Sequence, residues 1–382
     1  MPEIHAARRR RAQQLIRDID ADAALITARP NVRYLTGLAS SNAALLLPAD
    51  GDWALLATDS RYAGAAQRDA ADLDLIVERF IEGRLAAVAS RRGVKALAFE
   101  SHEMTVDRHQ ELTAKLEGVA TRPFGMKIEA LRMVKDASEL EKLRIACELS
   151  DAALAQVLPG IKAGDTERTV AFRLDAQMIA LGAERTAFDT IVASGPNGAI
   201  PHHAPTDRPL QRGDLVTMDF GALYDGYHAD MTRTVAIGAV ADWQREIYEL
   251  VALAQQVGIA ALSDGAEAGA VDAAARDVIE AAGHSAHFQH GLGHGVGLEI
   301  HEAPMLGYGR TGKLSDRVPV TVEPGVYLPG LGGVRIEDVL VVAAGDRARI
   351  LTSTTRELLV LLLPQMETIR GKHQRPEERH DA

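Results

Sequence analysis

Short apolar runs alternate with helical stretches over the first 125 residues. AALITA, AALLLP and WALLA read as strands, LIVERFIEGRLAAVASRRG as a helix, and KALAFE as strand again. Strands separated by helical stretches predict an α/β layer. Residues 126–135 read as a connection. Asp136, with Glu139 three positions on, then opens a strong helix by a capping-box pattern. Leu140, Leu143, Cys147, Leu154 and Val157 recur along it near the helical period, and Pro159-Gly160 ends it. Cys147 lies on that apolar stripe and reads as a buried, inert thiol. The run Arg8-Arg9-Arg10-Arg11 reads as one solvated face of a first helix. From about 130 to 365 helices mix with strand pairs, and the polar, aperiodic stretch 366–382 reads as disordered.

The second part contains an internal echo. Val216-Thr217-Met218-Asp219-Phe220-Gly221 resembles Val320-Thr321-Val322-Glu323-Pro324-Gly325. Each is followed by a loop and a second strand opening near an acid, Asp230 in one case and Glu337 in the other, at spacings of eleven and fourteen residues. The pattern predicts two related halves, each offering a hairpin with a pair of acids. In the first, Asp225-Gly226 is a two-residue turn signal. That turn sets Asp219 opposite Thr232, and places Asp219 and Asp230 diagonally on one face of the ribbon, roughly 7–8 Å apart or less. Two carboxylates flanked by apolar runs repel each other unless a pKa rises or a cation intervenes. In the second, Glu323 precedes Pro324, which suits an edge or a bulge. Glu337 lies in the apolar strand VRIEDVLVV, where an acid needs a partner; Arg335, two residues away on the same face, is a candidate.

Between the hairpins runs HGLGHGVGLEIHEAP, with His290, His294 and His301. Four glycines in eight residues argue against a helix, and so against a zincin-type HExxH site. Pro201-His202-His203-Ala204-Pro205 adds two histidines on a loop. Four carboxylates balance two divalent ions, and one neutral imidazole completes a shell. Such an oxygen-rich donor set suits manganese or cobalt, with zinc as a further option. Two ions about 3.5–4 Å apart can share a water, lower its pKa and polarise a carbonyl, the chemistry of metal-assisted hydrolysis. No serine nucleophile elbow, P-loop or dinucleotide fingerprint competes.

Composition narrows the setting. Acids outnumber basic residues 53 to 42 and aromatic residues make up 4%, against a general nucleic-acid binder. A single cysteine excludes an intrachain disulfide and a cysteine-based zinc cluster. No apolar run approaches the ~20 residues of a spanning helix, and no secretory signal follows the arginines. The reading is a cytoplasmic protein with no membrane partner.

MDFGALYDGYHADMTRT, HGLGHGVGLEIHEAP, TVEPGVY and VRIEDVLVV together resemble the pita-bread metallopeptidases, within them the Xaa-Pro dipeptidases (prolidases) and aminopeptidase P. NVRYLTGL (31–38) and TDSRY (58–62) resemble the creatinase-type amino-terminal domain. The resemblance implies an α+β chain: a creatinase-like α/β domain over 1–125, then a pita-bread catalytic domain with pseudo-twofold halves over 126–365. It implies Asp219 on one metal, Asp230 and Glu337 bridging both, and His294 and Glu323 on the other, with Glu323 also moving a proton for a bridging hydroxide. His202 and His301 would face the scissile carbonyl; His203 beside His202 leaves that choice open. His290 would lie near the pocket for the substrate proline, Tyr327 would line the site, and Arg335 would orient a metal-bound carboxylate. The substrate would be a proline-containing dipeptide or short peptide, and the assembly a homodimer. The alternatives are a pita-bread scaffold protein without catalysis and a metal-free creatinase-like hydrolase. All five ligand positions are intact, which weighs against both.

Overall fold

The computed structural model describes residues 2–361, so the stretch 366–382, expected to be disordered, lies outside the described residues. The first apolar runs build a six-stranded sheet. Its order is Asp74–Val77, Leu55–Thr58, Ala43–Pro48, Ala23–Ile26, Ala96–Phe99, Ala120–Pro123. The central strand Ala23–Ile26 pairs antiparallel with Ala43–Pro48 and parallel with Ala96–Phe99. These strands are apolar without alternation because helices cover both faces. Ile26, Leu45 and Leu47 pack toward Ala12 and Ile16 of the first helix. Leu25 and Leu46 pack toward Leu85 and Ala89 on the opposite side.

Three expectations need correction. The segment LIVERFIEGRLAAVASRRG is not one helix: Asp74–Val77 is an edge strand, and the helix runs Ile81–Arg91. Pairing with Leu55–Thr58 outweighs local helix propensity there. The connection at 126–135 contains a helix, Lys127–Met133, whose Ile128 packs into the core. The four arginines on the helix Pro2–Arg17 do not share a solvated face. Consecutive helical residues are ~100° apart, so four in a row reach most of the way around the axis. Arg10 and Arg11 are exposed, whereas Arg8 and Arg9 are buried at 4% and 7% exposure. Arg8 donates to Asp136 Oδ2 (2.6 Å) and the Tyr34 carbonyl, and lies 3.1 Å from Glu139 Oε2. Removing one member of a buried ion cluster strands the others. Arg8→Met is therefore expected to cost about 3 kcal/mol, read as a lower urea midpoint at unchanged slope.

The helix Ala137–Val157 opens on the expected capping box, Asp136 with Glu139, and Cys147 on it is fully buried. It packs on Glu167–Ala180, and further along Asp242–Ala261 packs on Ala268–Ala281. Each helix pair covers its own antiparallel sheet core. The first sheet runs Ile191–Ser194, Leu215–Phe220, Met231–Ile237, with Val360–Leu361 added at its edge. The second runs Glu302–Leu306, Gly293–Gly295, Pro319–Val322, Asp338–Val341, Arg349–Ile350. The sequence echo marks this repetition: the two matching segments are inner strands of the two sheets. Among the described residues no helix is long and apolar enough to cross a membrane.

Candidate metal centre

The first hairpin has the register its turn dictates. Asp225 and Gly226 both take positive φ, 44° and 80°, as a type I′ turn requires. The pairs Tyr224–Tyr227, Leu223–His228 and Thr232–Asp219 follow. Gly221 is obligatory for this approach, since a Cβ there would lie 1.8 Å from the Ala229 carbonyl oxygen. Asp230 sits in the irregular step between Tyr227–His228 and Met231–Ile237 and faces inward at 5% exposure.

In the second hairpin the ladder runs from Val322–Asp338 to Gly325–Arg335, setting Glu323 opposite Glu337. Neither acid keeps the ladder bond. The Glu323 amide donates to the Leu292 carbonyl and the Glu337 amide to the Thr232 carbonyl, 2.8 and 3.1 Å. Proline after Glu323 breaks the strand as expected. The Thr232 hydroxyl donates to Glu337 Oε2 at 2.6 Å, so the residue opposite Asp219 in one half binds the acid of the other. The two hairpins thereby meet with their acids face to face.

His294 enters from the strand Gly293–Gly295. A Cβ at Gly293 would lie 2.1 Å from the Thr321 carbonyl oxygen, so glycine lets this strand close down. His294 Nδ1 faces its neighbour's carbonyl, Gly295 O, at 3.0 Å and must donate to it. Nε2 is left pointing at Asp230 Oδ2 (3.5 Å) and Glu323 Oε1 (3.3 Å). Ligand atoms of Asp230, His294 and Glu337 all lie within 4.8 Å of one another.

The charge in this cluster is unevenly answered. Burial, then the surrounding acids, pushes Asp230 and Glu337 well above the ordinary carboxylate range. Burial also raises Asp219, against the pull of Arg335. Burial acts on Glu323 too, but the hydrogen bond and charge of His294 outweigh it and hold the carboxyl at about 2. The same bond outweighs burial at His294 and raises the imidazole. Arg335 donates from one terminal nitrogen to Asp219 Oδ2 (2.7 Å) and from the other to the Tyr327 hydroxyl (2.9 Å), and from Nε to Thr232. Its carboxylate partner is thus Asp219 rather than Glu337, whose Oε2 accepts from Thr232. Asp219 Oδ1 and Glu337 Oε1 are buried without a hydrogen-bond partner among the described residues. A buried, unpaired carboxylate oxygen is costly unless a cation meets it. The donor set of acids and one imidazole therefore fits divalent metal ions.

A cleft of about 830 Å³ opens over the acids, lined by His202, His290, His301, Tyr327, Phe188 and Ile300 among others. His301 stands edge-on to His294 with ring centroids 4.3 Å apart, and burial first, then His294, lowers its pKa. At Pro201-His202-His203 the two rings part: His202 lines the cleft, and His203 is turned inward onto Glu167 at 2.9 Å. Tyr327 accepts from Arg335, so its hydroxyl hydrogen goes to His290 Nε2 (2.9 Å). His290 Nδ1 then donates to the Gly291 carbonyl, and the ring presents a neutral face. Burial lowers its pKa in the same sense.

Two features of the site were not read from the sequence. The turn register places Thr232 opposite Asp219, but does not give its bond to Glu337 of the other hairpin. The ion cluster of Arg132 and Lys135 with Glu302, beside His301, is the second. Its basic members come from a stretch that reads as a connector. NVRYLTGL and TDSRY lie away from the cleft: Asn31 braces Arg132 (2.8 Å), and Asp59 pairs with Arg61 (2.7 Å).

Residues 141–344 match Metallopeptidase family M24, and residues 8–134 match the Creatinase/Prolidase N-terminal domain. An uncharacterized peptidase, YqhT, of Bacillus subtilis (strain 168) is 38% identical over 91% of this chain and 98% of its own. The Xaa-Pro dipeptidase of Pyrococcus horikoshii is 36% identical over 88% of this chain and 94% of its own. Among solved structures, an Xaa-Pro dipeptidase from Bacillus anthracis superposes with a TM-score of 0.90 at 34% identity, covering 94% of this chain and all of its own (100%). An X-Pro aminopeptidase from Thermotoga maritima MSB8 superposes at 0.84 with 34% identity, covering 91% of this chain and 99% of its own.

Proposed function

The chain belongs to metallopeptidase family M24, and from that premise we propose that it is an exopeptidase hydrolysing the Xaa-Pro bond of dipeptides or short peptides with two divalent ions, manganese by preference. The observation that carries the reading is the meeting of Asp230, His294 and Glu337 in one buried cluster, with unpaired oxygens on Asp219 and Glu337 beside it. In this reading Asp219 would hold one ion, Asp230 and Glu337 would serve both, and His294 and Glu323 would hold the other. The ions supply a water acidic enough to be a nucleophile near neutral pH, together with polarisation of the carbonyl.

The protein's own groups do the rest. Glu323 would take the proton that the attacking water loses and pass it to the departing proline nitrogen, a task for a carboxyl within reach of the bond that breaks. His202 and His301, which both line the cleft, donate ring N–H groups to the carbonyl oxygen as charge develops on it. The neutral His290 ring and Tyr327 form a wall for the proline ring. Arg335 holds Asp219 in place from behind. The substrate chemistry agrees: an amide to proline nitrogen has no N–H. A site that acts on the carbonyl and on water does not depend on that missing donor.

The test is one activity panel. Ala-Pro, Ala-Ala and Ala-Pro-containing longer peptides are each assayed with manganese, cobalt, zinc or a chelator. Metal-dependent turnover confined to Xaa-Pro bonds is expected. Fully metallated protein that leaves every Xaa-Pro peptide intact rules the reading out. His202→Ala is expected to lower kcat about 10²-fold, the scale of one oxyanion donor, at unchanged metal content. Loss of metal in that variant would contradict its place on the substrate side.

A further inference from the structure

Glu167 opens the helix Glu167–Ala180 and is fully buried, yet the metal cluster does not use it. Its carboxylate is saturated with donors. Oε1 accepts from the Ser194 amide (2.8 Å), the Ser194 hydroxyl (2.7 Å) and Asn197 Nδ2 (2.9 Å). Oε2 accepts from the Thr206 amide (3.0 Å), the Thr206 hydroxyl (2.6 Å) and His203 Nε2 (2.9 Å). Burial would raise this carboxyl, but the bonds from Thr206, Asn197, Ser194 and His203 outweigh it and bring it to about 2. An ionised carboxylate only accepts, so His203 Nε2 carries the hydrogen.

All six donor groups belong to residues 194–206, the segment that delivers His202 to the cleft. His202 is flanked by two anchors. On one side Arg335 donates to the Pro201 carbonyl at 3.4 Å, from the guanidinium that also holds Asp219. On the other side the His203 ring is tied to Glu167. Gly198 in the same segment lies against the backbone of Gly333, where a Cβ would come within 3.1 Å.

Resting on the reading above for His202, we infer that Glu167 and His203 are positioning residues that set the His202 ring over the substrate carbonyl. A displacement of ~1 Å in such a group can cost about 10²-fold in rate. A purely packing role would leave no specific dependence on His202.

The test uses the metal-loaded full chain with Ala-Pro. His203→Leu removes the N–H, and His203→Gln keeps one at the reach of Nε2. His203→Leu is expected to lower kcat roughly 10- to 50-fold, with KM within about threefold and metal content unchanged. His203→Gln is expected to recover to within about threefold of the parent. In a His202→Ala background His203→Leu should cost less than about twofold more, since the ring it positions is gone. Thr206→Val, which removes one donor from Glu167 Oε2, replaces His203→Leu in the same cycle if the latter does not fold. Full multiplication of the two effects, or equal damage by Gln and Leu, overturns the inference while leaving the metallopeptidase reading intact. Unchanged turnover in His202→Ala alone sinks the role of His202, and the inference with it.

Discussion

Asp230→Ala and Glu337→Ala are each expected to lower turnover at least about 10³-fold and to lose metal in the same preparation. Groups that merely orient a metal ligand cost ~10–100-fold when removed, so loss of a carboxylate shared by two ions should cost more. Both acids lie in the buried cluster with His294. Metal content by mass spectrometry and kcat on Ala-Pro measure the two consequences separately. The metal-free proteins should behave in the opposite sense. Each of these acids is pushed up first by burial and then by its neighbours' charge, so removing one relieves the others. Metal-free Asp230→Ala should therefore melt higher than the metal-free parent. Normal metal content with normal activity in either variant would end the shared-ligand assignment.

How much of this was legible in the chain follows from the range over which each feature is determined. The Asp219–Thr232 register is set by a two-residue turn a few positions away, so Asp225-Gly226 suffices to place it. The same holds for the capping box at Asp136 and for the strand break at Pro324. The repeat of acids across the two halves is visible because both halves carry the same strand pattern. The burial of Arg8 is different. Nothing near Arg8 in the chain distinguishes it from Arg10; its partners Asp136 and Glu139 lie more than a hundred positions on. Arg335 shows the same limit in the site. Spacing put it on the face of Glu337, but the other hairpin supplies both Thr232 for Glu337 and Asp219 for Arg335. The helix at Lys127–Met133 is short, and its apolar positions become a pattern only once the core beneath them is known. His202 was separable from His203 only through Glu167, whose bonds to 194–206 span up to 39 positions.

Stripping the metals is expected to abolish turnover and lower the melting temperature, with manganese restoring both, and the size of the thermal effect should depend on pH. In the metal-free chain Asp219, Asp230 and Glu337 have folded pKa values above their ordinary ones. Such groups favour the fold most while still protonated, below the ordinary carboxylate range. That contribution is lost as pH rises from there through the raised values. Glu323, held at about 2, acts oppositely, contributing stability above its ordinary range that is lost as pH falls toward 2. Above about pH 5 the Glu323 contribution is already complete; the three raised acids and the raised His294 then weaken the stripped protein toward pH 8, while the lowered His290 and His301 act against them. The loaded protein does the reverse over the same window, because ions bind the deprotonated ligands and release protons on doing so. A ligand at ~1,000 times its Kd contributes about 4 kcal/mol, on the order of 5–10 °C for a domain of this kind. The gap between loaded and stripped melting temperatures should therefore widen from pH 5 to pH 8. A gap that narrows over that range would mean that the raised acids are not the groups that receive the metal.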